Sequence, residues 1–152
     1  MLANQPLIAM IATTQPDRAK EFYAETLGLK LIEDRWFALV FMAGGTRLHI
    51  QKVKEFSPLP FTAIGWTVPD IAATVAALSN KGIKFDRYPA MTQDQAGIWT
   101  TPEGANVAWF KVPDANTLSL TQSSSKYSGP PVGRAAVPAP YLSCPPSRAG
   151  RG

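Results

Sequence analysis

An internal repeat constrains this chain more than any single motif. Thr14-Gln15-Pro16-Asp17 recurs as Thr67-Val68-Pro69-Asp70, and Gly28-Leu29-Lys30-Leu31 recurs as Gly82-Ile83-Lys84-Phe85. Self-similarity at a spacing of about fifty residues means two copies of one supersecondary unit. Neither copy is large enough to bury a helix stripe and a sheet alone, so the two are expected to pack together. Each Thr-x-Pro-Asp reads as a helix start. Threonine caps free N–H groups, proline is tolerated in the first turn, and aspartate favours the positive end of the helix dipole. Each glycine reads as a helix C-terminal cap leading into a strand.

The stretches between these signals have matching periodicity. Ala19, Phe22, Tyr23 and Leu27 form one apolar helical stripe, and Ile71, Val75 and Leu78 form another. Strand-like segments flank them at Leu7–Thr13, Lys30–Glu33, Trp36–Met42 and Arg47–Lys52. In the second half they are Thr62–Val68, Lys84–Tyr88, Gly97–Thr101 and Asn106–Val112. Gly44-Gly45-Thr46 and Pro102-Glu103-Gly104-Ala105 are turn chemistry. The order is βαβββ, twice. The expected fold is α+β, with modules at about 6–53 and 60–121 forming a curled mixed sheet around a cavity. Residues 122–152 are rich in Pro, Ser and Gly and read as a disordered basic tail.

Charge and composition exclude several function classes. The net charge is +4, from 15 Lys+Arg against 11 Asp+Glu. Lys126, Arg134, Arg148 and Arg151 account for all of it, so residues 1–120 are balanced. A nucleic-acid partner, which needs a basic face on the folded domain, is not expected. The longest apolar run, Trp36 to Ala43, is too short to span a membrane. The N-terminus lacks the basic-then-apolar order of a secretory signal, and Cys144 is the only cysteine. Both suit a cytoplasmic protein.

Asp17-x-Ala19-x-x-Phe22-Tyr23-x-x-x-Leu27-Gly28-Leu29, together with Thr101-Pro102-Glu103-Gly104, resembles the vicinal oxygen chelate superfamily. That group includes glyoxalase I, extradiol dioxygenases and the fosfomycin- and bleomycin-resistance proteins. The resemblance covers residues 6–121 and implies a U-shaped cavity, usually completed in a homodimer. In metal-using members, four positions on the first and last strands of the two modules supply ligands. Carried over one at a time, they fall on Ile8, His49, Ala63 and Ala108. Only His49, the sole histidine, can bind a metal through its side chain. No metal and no cofactor are therefore expected, because a catalytic divalent ion needs about three protein ligands.

Strand alternation suggests what lines the cavity instead. The expected ligand-binding residues are Met10, Trp36, Ala38, Arg47, His49, Gln51, Ala63, Gly65, Thr67, Ile98, Thr100, Ala108 and Phe110. Asn106 joins them as a polar group, while Trp66, Trp99 and Trp109 are expected behind the sheet. Such a lining, mostly apolar with a few polar groups, is the usual form of a small-molecule site. The expected function is metal-independent binding or sequestration of a small apolar or aromatic molecule, as in bleomycin resistance. The alternative is a lyase or isomerase in which His49 is a general base or a residual metal ligand. A regulatory or scaffold role, with the tail as docking element, is a third possibility.

Overall fold

A computed structural model describes residues 1–124; the tail expected beyond them lies outside the described residues. Strand β1 (Ile8–Thr13) leads into helix α1 (Pro16–Glu21), which continues as a π-helical segment, Phe22–Thr26. Strands β2 (Lys30–Asp34), β3 (Ala38–Ala43) and β4 (Thr46–Lys52) complete the first module. The second runs β5 (Thr62–Thr67), α2 (Ile71–Asn80), β6 (Trp99–Thr100), β7 (Asn106–Lys111) and β8 (Thr117–Gln122). The result is α+β, with two four-stranded mixed sheets and no closed barrel. Strand orders are β1-β4-β3-β2 (sheet A) and β5-β8-β7-β6 (sheet B). In each sheet the first and last strands of the module pair in parallel, and the other contacts are antiparallel.

The second module departs from the expected strands. Lys84–Tyr88 contributes a single bridge, Phe85 to Phe110, and Gly97–Thr101 shortens to the two residues of β6. These two short pieces share one edge of β7. The bridge is reinforced by the Asp86 N–H donating to the Trp109 carbonyl at 2.7 Å. The last strand of the module is therefore β8, which was not expected, and not the segment beginning at Asn106.

The helix starts also differ in detail. Thr67 does not cap α2; Asp70 does, its Oδ1 accepting from the Ala73 N–H at 2.9 Å. Helix α1 has Pro16 in its first turn as expected, but no side chain caps it. Gly28 and Gly82 sit at φ +70° and +91°, the left-handed geometry that ends a helix without a Cβ penalty.

One side of each sheet enters a shared core. From sheet A come Ile11, Leu39, Phe41, Leu48 and Ile50, and from sheet B Ala108, Phe110, Leu118 and Leu120. Ala19 and Tyr23 from the first helical stripe, and Ile71 and Val75 from the second, join the same cluster. Polar ties bind the modules as well. The Asn116 amide donates to the Ala12 carbonyl at 3.1 Å, and Lys81 Nζ donates to the carbonyls of Glu25 and Thr26. Asp114 accepts from the Thr14 N–H at 2.9 Å and from the Thr13 hydroxyl.

Candidate functional site

Because the core takes one face of each strand, the opposite face remains to present side chains. On sheet A, pairing sets the rows. Met10 lies beside His49, and His49 beside Val40; Ile8 and Met42 flank Arg47, and Ala12 and Ala38 flank Gln51. The expected group Met10, Ala38, Arg47, His49 and Gln51 thus shares this open face. Met10 is 56% exposed and Ile8 is also exposed, two apolar side chains on the edge strand of sheet A. Ala38 and Val40 are buried between their neighbours. Trp36 precedes β3 and is 89% exposed, its ring edge-on to Phe37 at 5.2 Å.

His49 is the titratable group at the centre of this face. Its Nε2 is shielded from solvent and has no hydrogen-bond partner among the described residues. A buried imidazole nitrogen without a partner loses the hydrogen bond it would make with water. Arg47 supplies a cation two residues away on the same side.

Sheet B presents a different chemistry. Its open face carries Gly65 and Thr67 from β5 and Thr117, Ser119 and Thr121 from β8, the alternates of Leu118 and Leu120. Ala63, also exposed, sits at a bulge between Thr62 and Ile64. Trp109 lies on this side too, its Nε1 donating to the Thr62 hydroxyl at 3.1 Å. Tyr88 stands edge-on to Trp109 at 5.5 Å, and Trp99 lies 6.1 Å from it.

Two expected lining residues are corrected. Ala108 and Phe110 point into the core, both 0% exposed, and Val107 and Trp109 take the opposite face. The physical reason is β8: Leu118 and Leu120 pair with Phe110 and Ala108 and draw them to the helix side. Ile98 also belongs to the core cluster. The fourth ligand position, carried over to Ala108, moves with the last strand to β8, whose open face offers hydroxyls.

Among the described residues no three His, Cys, Asp or Glu side chains are grouped so as to hold one ion. Ile8, Ala63 and the β8 hydroxyls do not replace them.

Sequence reasoning did not anticipate a cleft of about 940 Å³ where the N-terminus of α2 meets β6 and β7. Thr100, Ile98 and Asn106 line it with Asp70, Asp94, Trp99 and Gln122, and Gln122 Oε1 accepts from the Ile71 N–H at 2.8 Å. The Thr100 hydroxyl is already bonded to Asn106 Oδ1 at 2.8 Å. Three of its lining residues, Ile98, Thr100 and Asn106, are ones that strand alternation singles out, but that a cleft forms here depends on how α2 sits over the β6–β7 edge. No described helix is long and apolar enough to cross a membrane.

The model of the Glyoxalase/Bleomycin resistance protein/Dioxygenase superfamily matches residues 6–109. A superfamily member from Sphaerobacter thermophilus is similar in structure at 20% identity, with a TM-score of 0.65 over 81% of this chain and 100% of that one. A lactoylglutathione lyase from Agrobacterium tumefaciens is similar at 13% identity, with a TM-score of 0.61 over 80% of this chain and 96% of that one. The fosfomycin resistance protein FosX from Listeria monocytogenes is similar at 10% identity, with a TM-score of 0.61 over 79% and 93%. No curated protein matches the sequence. Identities this low carry the fold alone.

Proposed function

Since this chain belongs to the Glyoxalase/Bleomycin resistance protein/Dioxygenase superfamily, we propose that it binds or sequesters a small, largely apolar or aromatic molecule without a metal. The observation that carries this reading is the open face of sheet A. Exposed Ile8 and Met10 stand beside the row Arg47, His49 and Gln51, with His49 Nε2 unpartnered among the described residues. Apolar area next to a few polar groups is how protein surfaces hold small molecules. The site is completed by a second copy of the chain, covering the exposed Ile8 and Met10, in a cytoplasmic homodimer.

The test is titration of the full chain with planar aromatic and amphipathic compounds, followed by tryptophan fluorescence and thermal shift. Exposed Trp36 serves as reporter. Saturable binding weakened by His49→Ala and Arg47→Ala is expected; no saturable binding across the panel would sink the proposal. Native mass spectrometry of the same preparation reads copy number, and elemental analysis finding one metal per chain would overturn the metal-free reading.

The free Nε2 favours a second reading, a lyase or isomerase with His49 as general base. The fold neighbours named as a lactoylglutathione lyase and a fosfomycin resistance protein place enzymes and resistance proteins in its company. Any turnover that survives His49→Ala unchanged would remove this reading.

A further inference from the structure

The cleft between the head of α2 and the β6–β7 edge is separate from both open faces. Asn106 alternates with Val107 and so lies on the same side of β7 as the core residues Ala108 and Phe110. The cleft therefore opens on the helix side of sheet B. At about 940 Å³ it has room for one small molecule, and buried Ile71 and Ile98 give it an apolar lining. Among the described residues that line it, the ionisable side chains are the carboxylates of Asp70 and Asp94, both exposed and so reached from solvent. Neither has an ion-pair partner among the described residues. The guanidinium of Arg87 is committed to the backbone carbonyls of Asp94 and Gln95. Each aspartate uses Oδ1 internally, Asp70 for the Ala73 N–H and Asp94 for the N–H groups of Ala96 and Ile98. These bonds hold the two side chains in place and leave each Oδ2 without a hydrogen bond among the described residues. An anion is not served in the same way. Two donors at the head of α2 are already taken, the Ile71 N–H by Gln122 and the Ala73 N–H by Asp70.

We propose that this cleft binds a small organic cation, a primary or secondary ammonium carried on an apolar body. The ammonium donates to the carboxylates of Asp70 and Asp94, and the body lies against Ile71 and Ile98. The lining holds two negative charges and no positive one, and the other polar groups in it are neutral amides and hydroxyls such as Gln122, Asn106 and Thr100. A cation is the ligand that such a charge balance favours over a neutral or anionic molecule of the same shape. This inference does not rest on the sheet A reading, which concerns another surface and another chemistry.

The test uses 2-phenylethylamine, a cation at pH 7, and 2-phenylethanol, its neutral counterpart of similar shape. Both are titrated into the full chain and followed by amide chemical shifts. The amine is expected to move the amides of Ala72, Thr100 and Asn106 and to leave those of Arg47 and His49 in place. Asp70→Asn and Asp94→Asn keep the internal acceptor at each position, and Asn caps a helix about as well as Asp. Each should weaken the amine about fivefold, the worth of one solvent-exposed ion pair, and leave the alcohol unchanged. Added salt should weaken the amine alone. If either variant folds poorly, Ala72→Phe, on the exposed side of α2, fills the cleft instead and should weaken the amine without touching either carboxylate. Equal affinity for the two probes, an amine affinity unmoved by both Asn variants, or no binding of the amine overturns the inference. So does amine binding that shifts Arg47 and His49 in place of the cleft amides. In each case the sheet A reading stands or falls separately, on its own His49→Ala and Arg47→Ala variants.

Discussion

The Thr13 hydroxyl donates to the buried carboxylate of Asp114 across 101 residues of chain, joining the end of β1 to the turn before β8. Asp114 also accepts from the Thr14 N–H at 2.9 Å and the Thr14 hydroxyl at 3.1 Å. One side chain thus ties the two modules at the point where the first helix begins. Asp114→Ala strands these donors in a buried site. We expect a loss of about 2–4 kcal/mol, read from urea unfolding. Asp114→Asn, which keeps the shape and one acceptor, should lose clearly less. Equal losses would mean that a neutral acceptor rescues nothing and that the charge carries the tie.

The same turn holds Ala115 at φ +66°, a left-handed conformation that a Cβ disfavours. Ala115→Gly should relieve this conformation, offset in part by the freer unfolded chain. The expected net gain is about 0.5 kcal/mol. A lower thermal midpoint for Ala115→Gly would show that the turn is not strained.

Tyr23 is buried, and its hydroxyl has no hydrogen-bond partner among the described residues. Burial, and secondarily the charge of Asp114, push its phenol well above the ordinary tyrosine value. The folded state therefore keeps a proton that the unfolded chain releases above pH ~10. The contribution from Tyr23 is intact below that pH and falls as pH rises beyond it. Tyr23→Phe should be neutral or stabilising by up to about 1 kcal/mol at pH 7. Its advantage over wild type should grow in alkaline solution. An advantage that shrinks with rising pH would contradict this assignment.

Asp70 caps α2 through the Ala73 N–H. Asp70→Ala should cost about 1 kcal/mol, and Asp70→Ser should recover most of it. Thr67→Ala, at the position first expected to cap, should leave helix stability nearly unchanged. Guanidinium midpoints for the three variants check the order.

Phe110 and Trp36 separate core from surface. Phe110 is fully buried, so Phe110→Ala should lose about 3–5 kcal/mol. Trp36 is almost wholly exposed, and Trp36→Ala should change stability by less than about 0.5 kcal/mol. If Trp36→Ala also leaves probe affinity unchanged, Trp36 is not part of the binding surface.

Much of this architecture can be read directly from the residues. The paired Thr-x-Pro-Asp and Gly signals bracket two helical segments, and both glycines adopt the left-handed geometry that a helix end requires. The alternation Arg47, Leu48, His49, Ile50, Gln51 correctly divides β4 between open face and core, because only one face of that strand is buried. Thr117, Leu118, Ser119, Leu120 and Thr121 carry an equally clear alternation, the overlooked signal for β8.

Strand β7 marks where local pattern stops. Val107, Ala108, Trp109 and Phe110 are all buried, so their sequence has no polar side to orient it. Only pairing with β8, which sets Ala108 against Leu120 and Phe110 against Leu118, decides that these two face the core and Trp109 faces out. The sequence by itself determined two repeated modules, a helical segment in each and the division of β4 between two faces, because these depend on local periodicity. The tertiary structure alone decided the face of β7, the close approach of Ser119 to Gly65 and the Asp114 tie. Each of these is a contact between residues far apart in the chain, and register across strands is not encoded in either strand alone.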